Sequence, residues 1–198
     1  MKALFFLNSF LGGGAEKVCL NLAQQLYKLN IESDFIIIYN KIPDYDIPSY
    51  VRIFSLEIED KQGECFEIIK AVPRVNAFIS SNKYVLITAH LQPSYLLASL
   101  TTVRNRTLYV VHNRWIRANR FNSWVYALGL KLILYRKRIV TVSKGLKNEL
   151  TSKYGVSAEN VVAIYNPCNV EIMRIRDNSK PLHSRPYILI LGRLVEQK

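Results

Sequence analysis

Residues 2–18 read KALFFLNSFLGGGAEKV, and the pattern of this stretch indicates the type of fold. Lys2 to Asn8 is an apolar run typical of a strand buried on both faces. Three glycines, Gly12 to Gly14, come next, and beyond them apolar residues recur at helical spacing. The apolar stripe consists of Ala15, Val18, Cys19, Leu22, Ala23, Leu26 and Leu29. The stretch therefore predicts a buried first strand, a tight turn and an amphipathic first helix.

The rest of the chain repeats this alternation of strand and helix. Further strands are predicted over residues 35–39, 51–55, 84–89, 107–111, 139–142, 161–165 and 187–191. Further helices are predicted over residues 65–79, 92–100, 121–135 and 143–153. We expect a kink or break at Pro73, Pro93 in a first helical turn, and Ser143 as a helix N-cap. The alternation predicts an α/β fold with a Rossmann-like, doubly wound, mostly parallel sheet and helices on both faces.

Composition limits the class of protein. The 198 residues are 49% hydrophobic and 21% charged, which indicates a packed core of one sizeable domain with a little chain left over. No apolar run reaches the ~20 residues needed to cross a bilayer. A signal peptide is the alternative for the apolar start, but glycines and the pair Glu16-Lys17 stand where a cleavage site would be. Cys19, Cys65 and Cys168 are far apart and lack C-x-x-C spacing, which indicates a reducing cytoplasm rather than disulfides or zinc.

The net charge of +12 is unevenly distributed. No Asp or Glu occurs from Ile68 to Asn148, and Arg104 to Lys147 contains eleven Lys or Arg residues. A segment of one sign this long predicts an anionic partner: membrane lipid, a phosphorylated substrate or nucleic acid. A solvated basic face is the alternative.

Residues at the carboxyl ends of the predicted strands are the candidates for chemistry, because ligands of doubly wound sheets bind there. The glycine turn lets the backbone approach a ligand, and the helix start behind it offers N–H groups to a phosphate. Lys17 replaces the third glycine of G-x-G-x-x-G, so the dinucleotide fingerprint is not met, and a purely structural turn explains the glycines equally well. His90 and His112 also end strands, where each is either a ligand contact or a satisfied structural histidine.

Five ordered segments together resemble glycosyltransferase family 4, a family with the GT-B fold. They are Gly13-Gly14-Ala15-Glu16-Lys17-Val18, Val111-His112-Asn113, Val140-Thr141-Val142-Ser143, Ile164-Tyr165-Asn166-Pro167 and Gly192 to Lys198. The resemblance covers nearly the whole chain. It implies retaining transfer of a sugar from a nucleotide-sugar, UDP- or GDP-linked, to a glycan or lipid-linked acceptor in lipopolysaccharide, capsule or other surface polysaccharide synthesis. It implies no bound metal and no cofactor besides the donor.

The resemblance also implies residue roles. His112 is the expected catalytic residue, in contact with the donor sugar near the reacting carbon. Gly13 and Gly14 would pack near the donor diphosphate, and Arg193 and Lys198 would bind it. His90 and Asn113 are the expected acceptor-side contacts.

The domain organisation is also predicted from the resemblance. Residues 1–166 are expected to form an acceptor-side domain, 167–186 a linker, and 187–198 the first strand and turn of a truncated donor-binding domain. The family's Glu-x7-Glu motif lies later, in the donor-binding domain, and is expected to be missing from this truncated chain, so this chain alone is expected to be inactive.

A basic and aromatic segment, residues 114–138, suggests peripheral attachment to the cytoplasmic membrane. Its expected membrane contacts are Arg117, Arg120, Trp124, Lys131 and Arg136, in a helix too short to span but suited to the interface. The alternative is a buried helix with basic ends, and nucleic acid is disfavoured by the family resemblance.

Two other functions compete with the enzyme hypothesis. One is a non-catalytic nucleotide- or nucleic-acid-binding Rossmann-like module, and the other is a catalytically dead scaffold of the same fold. An intact Glu-x7-Glu pattern beyond Lys198 would favour the enzyme.

Overall fold

The structure is a computed structural model that describes residues 1–11, 13–39, 46–59, 64–113, 129, 131–167 and 188. Contacts within the chain define two compact units, residues 1–167 and residues 168–198. The first unit contains every strand and helix given below. The predicted boundaries near residues 166 and 186 stay predictions.

Strands and helices alternate along this unit, as predicted. The strands are β1 (Lys2–Leu7), β2 (Glu32–Tyr39), β3 (Val51–Ile58), β4 (Tyr84–His90), β5 (Leu108–Val111), β6 (Arg138–Thr141) and β7 (Val161–Ala163). The helices are α1 (Gly14–Lys28), α2 (Glu64–Ser80), α3 (Ser94–Leu100) and α4 (Lys144–Tyr154), with a short 3-10 turn at Ala158–Asn160. The predicted strand at residues 187–191 lies outside the described residues except for Ile188.

All seven strands form one sheet in the order β3-β2-β1-β4-β5-β6-β7, and every neighbouring pair is parallel. The chain leaves β1 toward β2 and β3, then returns to place β4 on the other side of β1. This order confirms the predicted doubly wound, Rossmann-like sheet.

The two faces of the sheet bury separate apolar clusters, because successive strand residues point to opposite faces. One cluster contains Leu4 and Ile36 together with residues of α2, α3 and α4. The other contains Phe5 and Phe35, whose rings stack 4.7 Å apart, beneath α1. Burial on both faces explains why β1 and β2 are apolar almost throughout.

Three details of the helices differ from the predictions. Helix α2 continues through Pro73, where a kink or break was expected. Proline removes the hydrogen bond to the carbonyl of Ile69, a residue that is 52% exposed, so water can replace the missing donor. Helix α3 begins at Ser94, with Pro93 as its N-cap rather than in its first turn. Leu29, predicted in the apolar stripe, follows the end of α1 and is exposed.

A cluster of charged and polar side chains occupies the amino-terminal edge of the sheet. Asp34 of β2 is buried and accepts hydrogen bonds from Arg52 Nε (3.1 Å) and from Tyr84 Oη (2.7 Å). Arg52 Nη2 lies 2.5 Å from Oδ2 of Asp34, and Lys2 Nζ lies 3.9 Å from its Oδ1. The cluster therefore joins β1 through β4 by side chains, in addition to their backbone hydrogen bonds.

Candidate functional site

The carboxyl-terminal edge of the sheet contains the crevice that a doubly wound order creates. Strands β1 and β4 are neighbours at the point where the chain reverses its direction of winding, and ligands bind beyond the strand ends at such a point. Asn8 follows β1, His90 ends β4, and His112 follows β5. The topology thus brings to one edge three polar side chains that are distant in sequence.

Asn8 fixes the loop that leaves β4. Its amide Nδ2 donates to the carbonyl of Gln92, and its Oδ1 accepts from the backbone N–H of Ser94 at 3.2 Å. The Ser94 hydroxyl donates to the carbonyls of His90 and of Leu91, the latter at 2.8 Å. These bonds hold Leu91 at a φ of 65°, a left-handed conformation that is costly for a residue with a Cβ. The loop is therefore shaped by hydrogen bonds across the crevice.

His90 and His112 are in direct contact. The Nδ1 atom of His90 lies 2.9 Å from Nε2 of His112, and the Nε2 atom of His90 lies 3.0 Å from Oγ1 of Thr88. His90 is 1% exposed and its ring lies 6.1 Å from that of Phe5, whereas His112 is only partly buried. The inner histidine is thus fixed by the core, and the outer one is accessible at the crevice.

Burial keeps both rings neutral near neutral pH. Burial lowers the pKa of His112 to about 4. The pKa of His90 is also well below its usual value of 6.5, first because of burial and second because of the neighbouring His112. A neutral imidazole has one N–H and one acceptor nitrogen, so the pair shares a single hydrogen in its 2.9 Å contact.

The glycine turn before α1 is occupied by a side chain of the same helix. Gly13 is the N-cap, in an extended conformation that any residue can adopt. A Cβ at Gly13 would lie 2.0 Å from Oε2 of Glu16, whereas a Cβ at Gly14 would have open space. Glu16 is 6% exposed, and a carboxylate in the first turn interacts favourably with the helix dipole. A side chain at position 13 would therefore have to displace the Glu16 carboxylate. The phosphate contact predicted for Gly13 and Gly14 stays a prediction.

The helix predicted to start after β6, the neighbour of β5, is present. The Ser143 hydroxyl accepts from the backbone N–H of Leu146 at 3.2 Å, which confirms it as the N-cap of α4. The backbone N–H of Val142 donates to the carbonyl of Val111 at 3.2 Å. This bond holds the two chain segments together just below His112. Asn113 is exposed, and its acceptor-side role stays a prediction.

The basic and aromatic segment is described only at its end. Residues 131–134 are helical, Leu134 is buried in the first apolar cluster, and Lys131, Leu132, Tyr135 and Arg136 are exposed. Arg136 lies two residues before β6 and so at the amino-terminal edge of the sheet, opposite the histidine pair. One side of this helix end therefore packs into the core, and the other side faces solvent. No helix in the described ranges is both long and apolar enough to cross a membrane.

The other predicted site residues fall outside the described residues: Arg117, Arg120, Trp124, Arg193 and Lys198. Within the described part of the chain, no group of three or more His, Cys, Asp or Glu side chains is placed to hold a metal ion.

Sequence reasoning missed two residues of this edge. Thr88 was not singled out, although it precedes His90 by two positions on a strand and must share its face. Asn8 was noted only as the last residue of the first predicted strand. Its hydrogen bonds reach residues 84 and 86 positions away, which no local pattern indicates.

A parallel, doubly wound sheet with a polar crevice at its switch point defines a Rossmann-like ligand-binding domain. The sequence model of one family, Glycosyltransferase Family 4, matches residues 12–172. The chain belongs to this family. No curated protein sequence matches it significantly.

Solved structures with a similar fold include the following three. The lipopolysaccharide outer core galactosyltransferase WaaB is 15% identical with a TM-score of 0.64, over 94% of this chain and 50% of that one. A glycosyltransferase from Rickettsia africae is 16% identical with a TM-score of 0.62, over 87% and 45%. HepE from Anabaena, in complex with UDP and glucose, is 18% identical with a TM-score of 0.58, over 87% and 46%.

These structural likenesses confirm the Rossmann-like half of a GT-B fold. The present chain spans about half the length of each of these structures, 45% to 50%.

Proposed function

We propose that this chain is the acceptor-side half of a retaining glycosyltransferase. The enzyme moves a sugar from a UDP- or GDP-linked donor to a glycan or lipid-linked acceptor. The contact between His112 and His90 at the sheet's switch point carries the proposal, because it places a neutral, accessible imidazole where ligands of this fold bind. His112 lies within the region that matches the family.

The chemistry explains why a neutral imidazole suits this place. The bond between the donor's anomeric carbon and the diphosphate oxygen breaks, and the nucleoside diphosphate leaves with the electron pair. The acceptor hydroxyl forms the new bond on the same face and loses its proton. Positive charge develops on the sugar ring meanwhile. His112, neutral because burial lowers its pKa to about 4, contacts the sugar without adding a repelling charge.

The donor's diphosphate requires groups beyond those of the crevice. We assign Arg193 and Lys198, with Gly13 and Gly14 across the cleft, to the diphosphate, where cations offset the leaving group's negative charge. The relatives are about twice as long as this chain, which supports a second, donor-binding half as the partner of residues 1–167. By this proposal the 198-residue chain alone neither binds the donor tightly nor turns over.

The relatives also support the substrate class. HepE has been solved with UDP and with UDP plus glucose, and WaaB is named as a lipopolysaccharide galactosyltransferase. We therefore place the present enzyme in surface polysaccharide, lipopolysaccharide or capsule synthesis, at the cytoplasmic face of the membrane. The donor serves as a substrate, and the proposal includes no separate cofactor and no metal.

The test is a transfer assay on the longer protein that contains both halves. A panel of UDP- and GDP-sugars is incubated with it, and release of the nucleoside diphosphate is measured. We expect turnover with at least one donor, and none from the 198-residue chain. Nucleotide binding without turnover by the longer protein would favour a binding module or a dead scaffold. Micromolar donor binding by the 198-residue chain alone would contradict the proposal that donor binding requires the second half.

Peripheral membrane association is the second part of the proposal. Residues 104–147 contain eleven basic and no acidic residues, and exposed Leu132 and Tyr135 stand beside exposed Lys131 and Arg136. A basic residue near an anionic surface contributes about 1 kcal/mol, and apolar side chains entering the headgroups add a contribution that salt does not screen. Arg136 lies opposite the histidine pair, whereas Arg117 and Arg120 follow β5 closely in the chain. We therefore assign the main lipid contact to Arg117, Arg120 and Trp124.

Two variants with equal loss of charge test this assignment. Arg117→Gln/Arg120→Gln and Lys131→Gln/Arg136→Gln are compared with wild type by co-sedimentation with neutral and anionic liposomes. We expect the first variant to lose more anionic-liposome binding, and raised salt to weaken wild-type binding without abolishing it. Equal sedimentation with both lipid types, or no loss in either variant, would contradict the electrostatic part. The basic surface would then be assigned to a phosphorylated acceptor.

A further inference from the structure

Three side chains at the carboxyl-terminal edge form a continuous line of hydrogen-bonding atoms. Thr88 Oγ1 is 3.0 Å from His90 Nε2, and His90 Nδ1 is 2.9 Å from His112 Nε2. Both ring nitrogens of His90 are therefore used within the protein. His112 has one ring nitrogen in the line, and its Nδ1 has no protein partner among the described residues.

The direction of these hydrogen bonds follows from counting hydrogens. Thr88 has one hydroxyl hydrogen, and each neutral imidazole has one N–H. If Thr88 donates to His90 Nε2, then His90 Nδ1–H donates to His112 Nε2, and the hydrogen of His112 is on Nδ1. In the reverse direction, His112 Nε2–H donates to His90, and His90 Nε2–H donates to Thr88 Oγ1.

Burial decides between the two directions. Thr88 and His90 are 6% and 1% exposed, and the structure gives Thr88 Oγ1 no second partner among the described residues. In the reverse direction the Thr88 hydroxyl hydrogen would be buried without an acceptor. Leaving a buried donor unsatisfied costs about 1–3 kcal/mol. The first direction leaves every polar group of the line satisfied and places the unused N–H on His112.

We propose that Thr88 and His90 are positioning residues that hold His112 in its Nδ1–H tautomer, so that it presents a hydrogen-bond donor to an oxygen of the bound ligand. The identity of that oxygen, a hydroxyl or phosphate oxygen of the nucleotide-sugar, rests on the proposed function. The tautomer itself does not.

The surroundings of His90 make it a rigid support. Its Nε2 is hydrogen-bonded to Thr88, and its ring lies beside the ring of Phe5. Its backbone carbonyl accepts a hydrogen bond from the Ser94 hydroxyl. His112 follows the last residue of β5, where the sheet no longer fixes the backbone. The orientation and the tautomer of the accessible histidine are thus set by the buried one. The same arrangement, a partner on one ring nitrogen that fixes the hydrogen on the other, is general for functional histidines.

The tautomer is measured directly on the 198-residue chain by NMR. Long-range proton–nitrogen correlations of the ring nitrogens distinguish Nδ1–H from Nε2–H, and His183→Gln leaves only His90 and His112 to assign among the three histidines. We expect Nδ1–H on His112 at pH 7.5, which is the tautomer that free histidine disfavours. Nε2–H on His112 in the wild-type chain would overturn the proposal.

A pair of variants isolates the contribution of Thr88. Thr88→Val removes the hydroxyl and keeps the shape, and Thr88→Ser keeps the hydroxyl as the matched control. We expect Thr88→Val to shift His112 toward Nε2–H and Thr88→Ser to leave it on Nδ1. An unchanged tautomer in Thr88→Val would contradict the assigned direction. If Thr88→Val does not fold, the wild-type tautomer alone decides.

The longer protein with both halves supplies a second readout. Hydrogen-bond partners that orient metal-ligating histidines typically contribute about 10- to 100-fold to activity, and we take the lower end of that range for this histidine pair, to which no metal is assigned. We expect Thr88→Val to lower kcat about 10-fold with little change in KM, and Thr88→Ser to retain wild-type kcat. Wild-type kcat in a Thr88→Val enzyme with a shifted tautomer would overturn the role in catalysis. Absence of transfer with any donor, beside the expected tautomer, would count against the proposed function alone.

Discussion

Polar groups are buried at both edges of the sheet, but one edge contains a charged cluster and the other a neutral one. At the amino-terminal edge, one buried carboxylate, Asp34, is surrounded by a guanidinium, a phenol and an ammonium group. At the carboxyl-terminal edge, two histidines pair with each other and with one hydroxyl, and neither is charged near neutral pH.

The difference separates stability from function. Asp34 uses both carboxylate oxygens on protein partners, and its hydrogen bond raises the pKa of Arg52, so the charged state of the pair is reinforced. His112 retains one ring nitrogen without a protein partner among the described residues. A polar group with unused bonding capacity at an accessible place is available to a ligand, and a fully bonded one is not. Changes at the two edges should therefore have different consequences.

The largest effect is expected from His112→Ala in the longer protein that contains both halves. Loss of one preorganised contact to the reacting sugar should lower kcat on the order of 10²-fold or more. The melting temperature should change little, because His112 is only partly buried. His183→Ala, outside every motif of the site, is the matched control. Turnover near wild type would remove His112 from the site, and loss of folding would make it a structural residue.

At the other edge, Asp34→Asn should reduce stability and leave the site intact. The change removes the charge that two cations and a phenol share, and we expect a loss of about 2 kcal/mol in the free energy of unfolding. That is below the about 3–5 kcal/mol typical of a broken, fully buried pair, because the Arg52 side chain is 50% exposed. Urea denaturation measures the loss.

Glu32→Gln is the control for this edge. Glu32 pairs with Lys2 at 3.1 Å, but its side chain is 63% exposed, so we expect a change within about 0.5 kcal/mol. Equal losses in the Asp34 and Glu32 variants would refute the distinction between the buried and the exposed ion pair.

The last expected effect is a dependence of stability on pH in mild acid. Because the pKa of His112 is about 4 when folded and near 6.5 when unfolded, the unfolded chain binds protons first as the pH falls. Above pH ~6.5 His112 is neutral in the folded and the unfolded chain, so its titration does not affect stability. As the pH falls from ~6.5 to ~4, the free energy of unfolding decreases progressively, by up to about 1.4 kcal/mol per pH unit for one group. His90, shifted in the same direction, adds to the slope. Denaturation at pH 7, 6 and 5 should show a shallower slope for His112→Asn, and identical slopes would contradict the neutral pair.

The fold was predictable from local patterns to a large extent. The apolar runs of β1 and β2 are long because both faces are buried, and the helical stripe of α1 is confirmed at Cys19 and Ala23. Ser143 was identified as a cap because the hydroxyl acts within its own turn. The break considered at Pro73 does not occur, because water can reach the carbonyl that the proline leaves unpaired.

The site was predictable only in part. His90 and His112 were selected by their places at strand ends, and the parallel sheet brings strand ends together. Their direct contact and its continuation to Thr88 depend on the register between neighbouring strands, which no single strand specifies. The roles of Asn113, Arg193 and Lys198 came from resemblance alone, and those of Gly13 and Gly14 from resemblance together with the glycine turn. All five stay predictions.

The hydrogen bonds of Asn8 to the loop after β4 have a consequence for grafting the histidine pair into another protein. Copying β4 and β5 would carry both rings and Thr88, but not the side chain that holds the loop after His90 in its left-handed turn. That side chain follows β1, and its hydrogen bonds reach more than eighty residues along the chain. The smallest portable unit is therefore three adjacent strands, and a two-strand graft should lose the loop's shape first.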